Sequence, residues 1–148
     1  MSVAVRRPMS IDEFLAWEER QELRWEFDGF APVAPTGGTA AHARIPRNII
    51  AALASRLRSS PCEVYTSDLK IRLAQSVRYP DSFVACTPVP GTTTCVTEPA
   101  VVFEVLSEGT ASTEYYVKNQ EYRATPSIQR YVMLEQDFAG ATVFARGG

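Results

Sequence analysis

Several things are scarce in this 148-residue chain, and each scarcity excludes a class of protein. No apolar run approaches 18 residues, so a membrane-spanning helix is not expected. The opening MSVAVRRPMS carries arginines but no apolar stretch behind them, which argues against a secretory signal. The three cysteines, Cys62, Cys86 and Cys95, are odd in number and form no CxxC. Neither a zinc site nor a disulfide framework is therefore expected, and a reducing, cytoplasmic setting is the simplest reading. The net charge is only −2, without the basic excess of a constitutive nucleic-acid binder. No internal repeat, linker or low-complexity tract breaks the chain, so residues 1–148 read as one domain. A chain of this length can bury roughly 68% of the surface that its unfolded form exposes.

What is present is unevenly distributed. Between Arg44 and Arg78 stand Arg44, Arg47, Arg56, Arg58, Lys70, Arg72 and Arg78 against only Glu63 and Asp68, whereas Asp12 to Asp28 is strongly acidic. Such a basic flank either meets phosphate or is a solvated helix face.

Ser10 followed three residues later by Glu13 is a capping-box pattern, and Phe14, Leu15 and Trp17 follow it, which predicts a helix from about Ile11 to Leu23. Aromatic residues around Asp28 and Gly29 predict a hairpin or tight turn. Ile45, Ile49, Leu53 and Leu57 recur every four positions with arginines between them, the pattern of an amphipathic helix. Thr39 can cap it, but Pro46 would then lie beyond the first turn, so the spacing predicts either a start nearer Arg44 or a kink. Three strand-like runs follow, CEVYTSDLKIRL, YPDSFVAC and AVVFEVLS. A helix from Ser112 or Thr113 to about Ala124 precedes a closing pair of strands. This order predicts an α/β or α+β domain, a mixed sheet flanked by helices.

Two carboxylates interrupt the apolar runs. Strand alternation puts Glu104 on one face with Val102 and Leu106, so it enters the interior of a strand that is apolar on both faces. A buried lone carboxylate takes up a proton or finds a cation. The same alternation sets Asp81 beside Tyr79 and Phe83, and Pro80, which lacks a donor, marks an edge strand, a strand start or a bulge. Two carboxylates at neighbouring strand ends can hold a hard cation such as Mg²⁺. Lys118 shares a helical stripe with Tyr115 and Tyr122 and is a candidate catalytic lysine; an ordinary surface pair with Glu114 explains the same spacing. Lys70, on a strand leading toward Asp81, is the rival lysine.

Taken together, RWEFDGF, TGGTAAHARI, SPCEVYTSDLKIRL, RYPDSFVACTPVP, VVFEVLSEGT, VKNQEYRATPSIQRYVMLEQD and ATVFAR resemble the Uma-two family of restriction-endonuclease-like bacterial proteins, within the PD-(D/E)XK nuclease superfamily. The resemblance runs from Ile11 to Arg146. It implies a restriction-endonuclease-like fold in which Asp81 and Glu104 bind Mg²⁺ or Mn²⁺, Lys118 serves catalysis, and DNA is cut by hydrolysis. It further implies auxiliary positions at Glu26 and His42. Where the superfamily often has lysine, two residues after the glutamate, this chain has Leu106. The segment from Ser107 to Thr110 and Glu114 also depart from the family pattern, and family members usually continue for a few tens of residues, so a C-terminal end is expected to be lacking. Duplex cutting often uses two sites, which makes a homodimer an expectation. The alternative is a catalytically inactive nuclease-fold module that binds DNA or protein.

Overall fold

The computed structural model describes residues 7–34, 37–106 and 112–147, with side chains of the third segment described from residue 115. The first helix, α1 (Ile11–Glu18), opens on the expected capping box: Ser10 Oγ accepts from the Glu13 N–H at 3.0 Å and the Glu13 carboxylate accepts from the Ser10 N–H at 3.1 Å. It stops short of Leu23 because the buried Glu18 carboxylate accepts the Trp25 N–H at 3.0 Å, folding the chain back on itself. The hairpin of β1 (Glu26–Phe27) and β2 (Pro32–Val33) follows. Asp28 Oδ1 accepts the N–H groups of Phe30 and Ala31 at 2.8 and 2.9 Å, and Gly29 takes a φ of 96° that the turn requires.

Helix α2 (Ala40–Arg56) begins ahead of Arg44, which removes the later start as one of the two alternatives. Thr39 caps it by accepting the His42 N–H at 3.2 Å, and Pro46 sits inside the helix, where the missing N–H removes the bond to the His42 carbonyl. No residue of α2 is buried, and Ile45, Ile49, Leu53 and Leu57 are only half-covered. The remaining elements are β3 (Glu63–Thr66), β4 (Lys70–Arg72), β5 (Val77–Arg78), β6 (Ser82–Ala85), β7 (Cys95–Val96), β8 (Pro99–Val105), α3 (Ser112–Arg123), β9 (Arg130–Leu134) and β10 (Ala141–Ala145).

The mixed α+β architecture stands, with its strands divided between two mixed sheets ordered β2-β1-β5-β4-β7 and β10-β9-β8-β6-β3. The run CEVYTSDLKIRL, which read as one strand, supplies β3 to one sheet and β4 to the other. The chain crosses between sheets again at Tyr79, Pro80 and Asp81. Pro80 is buried at this crossover, ahead of β6, where no ladder donor is needed. β6 is an interior strand, antiparallel to both β3 and β8, and β8 runs parallel to β9. One core gathers Ile71, Phe83, Val102, Tyr122, Ile128 and Tyr131, with the Tyr122 and Tyr131 rings edge-on at 4.6 Å. A smaller one joins Phe14, Phe27 and Val77. Each such side chain contributes about 1.5–3 kcal/mol by leaving water.

The cysteines correct another expectation. The register Glu63↔Ala85 sets Cys62 opposite Cys86, and the two form a disulfide between β3 and β6. A separation of 24 residues hides this pairing from the sequence. The inference of a reducing compartment loses the ground on which it rested. Among the described residues no helix is long and apolar enough to cross a membrane.

Candidate active site

The central strand β8 points Val102 and Glu104 toward α3, and Glu104 is 6% exposed. The Tyr122 hydroxyl donates to Glu104 Oε1 at 2.8 Å, and Lys118 Nζ stands 3.8 Å from the same oxygen. Lys118 and Tyr122 are one helical turn apart on α3, so the aromatic stripe that buries Tyr122 also turns the lysine inward. The Glu114 side chain, which a surface pair with Lys118 would need, lies outside the described residues.

Asp81, at the mouth of β6, is tied to the residue after Glu104. Its Oδ2 accepts the Val105 N–H at 2.7 Å and lies 3.4 Å from His42 Nε2. His42 comes from the first turns of α2, so the helix start and the carboxylate are linked directly. Glu26, on β1, accepts the Tyr79 N–H at 2.8 Å and pairs with Arg78 at 3.2 Å. Arg78 in turn grips Glu121 of α3 through two bonds, at 2.9 and 2.8 Å. Such a two-pronged contact fixes orientation as well as charge. Glu121 is three residues from Lys118, so this pair holds the helix that presents the lysine.

The electrostatics of the cluster are unbalanced. Burial pushes the Glu104 carboxyl up to about 8, with Asp81 and Glu26 adding to the rise while Lys118 and the Tyr122 hydroxyl oppose it. Burial and the Glu104 charge hold the Tyr122 phenol well above its ordinary value. Burial works against the Arg78 charge, yet Glu121 and Glu26 outweigh it and keep the guanidinium firmly protonated. Leaving His42 aside, the carboxylates Asp81, Glu104, Glu26 and Glu121 face the fixed cations Arg78 and Lys118. A divalent cation between Asp81 and Glu104 would offset this excess of carboxylates and favour the ionised form of Glu104. Among the described residues no group of three or more His, Cys, Asp or Glu side chains is placed to hold a metal ion. Two carboxylates suit an ion like Mg²⁺, which retains several waters, better than a structural metal.

The structure therefore brings Asp81, Glu104, Lys118, Glu26 and His42 into one neighbourhood and takes Lys70 elsewhere. Lys70 Nζ lies 3.1 Å from Glu18 Oε1, under α1, where Tyr79 also donates to Glu18 at 2.7 Å. Sequence reasoning missed Arg78, Glu121 and the Tyr122 hydroxyl. The spacing of Lys118, Glu121 and Tyr122 by three and four residues was the available signal for the last two. Arg78, beside a proline and an aspartate, gave no sign of burial.

Comparison with known proteins adds three findings. A family model described as "Uma2: Putative restriction endonuclease" matches residues 11–148. Two uncharacterized Synechocystis sp. proteins are similar: one is 33% identical over 129 residues, covering 85% of this chain and 68% of that protein. The other is 28% identical over 141 residues, covering 92% and 80%. A crystal structure from Anabaena variabilis, described as "a putative nuclease belonging to DUF820", superposes with a TM-score of 0.72 over 94% of this chain and 86% of that one. At 16% identity, this last likeness speaks to the fold.

Proposed function

Since the chain belongs to the Uma2 family, we propose that it is a metal-dependent endonuclease that hydrolyses phosphodiester bonds in DNA. The observation that carries this reading is the meeting of three groups: Lys118 Nζ at 3.8 Å from Glu104, and Asp81 bound to the N–H of the next residue, Val105.

In this reading Asp81 and Glu104 hold Mg²⁺ or Mn²⁺, with the Val105 carbonyl as a further ligand. The ion supplies a lowered pKa for bound water and a positive charge against the attacked phosphate. The protein's own groups do the rest. Lys118, with its ammonium turned inward, orients the attacking water and offsets the negative charge that grows on phosphorus-bound oxygen. Tyr122 fixes the Glu104 carboxylate by donating to Oε1, leaving its other oxygen to a cation. The Val105 N–H and His42 hold Asp81 in place, and Glu26, oriented by Arg78, adds negative potential from the side of β1.

The experiment is direct. Purified protein incubated with supercoiled plasmid and Mg²⁺ or Mn²⁺ converts it to nicked and linear forms. Asp81→Ala and Lys118→Ala each lower the rate by at least about a hundredfold. Absence of cutting by the parent protein, or cutting untouched by these substitutions, overturns the catalytic reading. Binding of duplex without cutting would favour the inactive DNA-binding module instead.

A further inference from the structure

We propose that the exposed face of α2 is the surface along which the sugar-phosphate backbone of duplex DNA lies, an inference that rests on DNA being the substrate. Residues 37–62 hold Arg44, Arg47, Arg56 and Arg58 and no Asp or Glu. That segment is formally +4 in a chain of −2, so the remainder carries −6. A polyanion approaching this protein meets a repulsive body except where positive charge is concentrated.

The four arginines are not spent on internal pairing. Among the described residues none of them forms an ion pair, and Arg47 donates only to the neighbouring Asn48 amide. By contrast Arg7, Arg72 and Arg78 are all paired with carboxylates. At 100° per residue, Arg44, Arg47, Asn48, Ala51 and Ser55 share one side of the helix, opposite His42, Ile49 and Leu53, and Arg58 follows in the turn just past its end. These five and Arg58 are all exposed. The side chains between the arginines are small, so a backbone can approach the helix closely.

α2 begins at the site, because His42 lies 3.4 Å from Asp81, and it runs from there with the arginine face outward. From Arg44 to Arg56 the helix covers about 18 Å, or roughly five base pairs of duplex. His42 stands on the opposite side of the helix from the arginines, so this face would hold duplex beside the site and not across Asp81 and Glu104.

The test is fluorescence anisotropy of a labelled 20-base-pair duplex with Ca²⁺, read from 50 to 250 mM NaCl. Arg44→Gln, Arg47→Gln and Arg58→Gln together are compared with the parent protein and with a control of equal charge change at exposed positions, Arg20→Gln, Arg123→Gln and Arg130→Gln. The α2 variant is expected to lower the slope of log Kd against log salt by about two to three and to weaken binding at 50 mM by at least about tenfold. The control is expected to do much less. Equal loss in the control, an unchanged slope in the α2 variant, no duplex binding by the parent, or α2-dependent binding to phosphatidylserine vesicles in place of duplex each overturns the proposal. Parallel plasmid assays separate it from the catalytic reading: α2-dependent binding without cutting retires the enzyme and keeps this surface, while cutting with an unchanged slope does the reverse.

Discussion

Removing the Arg78 guanidinium would strand two largely buried carboxylates, Glu26 on one side and Glu121 on the other, with side chains 16% and 14% exposed. Arg78→Met is therefore expected to cost about 3–5 kcal/mol, measured by urea denaturation, whereas Glu121→Gln, which leaves the arginine its other partner, costs less. An equal and small loss in both would show that the pair is not the clamp on α3. At this scale the sequence was legible wherever polarity broke an apolar pattern. Glu104 stood out because it lay inside AVVFEVLS, and the structure buries it. Asp81 stood out beside Pro80. Arg78 and Glu18 did not, because a charge next to a turn or at a helix end usually faces water, and only tertiary packing turned these two inward.

Elements were legible by periodicity, and sheets were not. Ser10 and Glu13 announced α1, the four-residue repeat of Ile45, Ile49, Leu53 and Leu57 announced α2, and β8 read as a central strand. Nothing local could reveal that β3 and β4, four residues apart, join different sheets, because alternation reports which way side chains point and not which strand lies alongside. The disulfide was hidden for the same reason, since it depends on β3 pairing with β6. It closes a loop of 24 residues. Reduction, or Cys62→Ser with Cys86→Ser, is expected to lower stability by about 2–4 kcal/mol, seen as a matching drop in the denaturation midpoint. No shift on reduction would mean that the β3–β6 ladder holds without the bond.

Across the whole molecule, the elevated Glu104 makes metal-free stability depend on pH. Its folded-state value, about 8, lies above the ordinary 4.5, so the folded protein keeps a proton that the unfolded chain releases. The contribution is fully present below about 4.5 and is lost as pH rises through about 8. In EDTA, Glu104→Gln should accordingly match the parent near pH 5 and melt at least about 5 °C higher at pH 9. Equal melting temperatures at pH 9 would contradict a costly buried charge.

The crossover at residues 78–81 has one more consequence. Within four residues, Arg78 holds α3 through Glu121, Tyr79 holds α1 through Glu18, and Asp81 meets α2 through His42. Exchanging this tetrapeptide alone would break contacts to Glu18, His42 and Glu121, so substitutions at these scattered positions are expected to be energetically coupled.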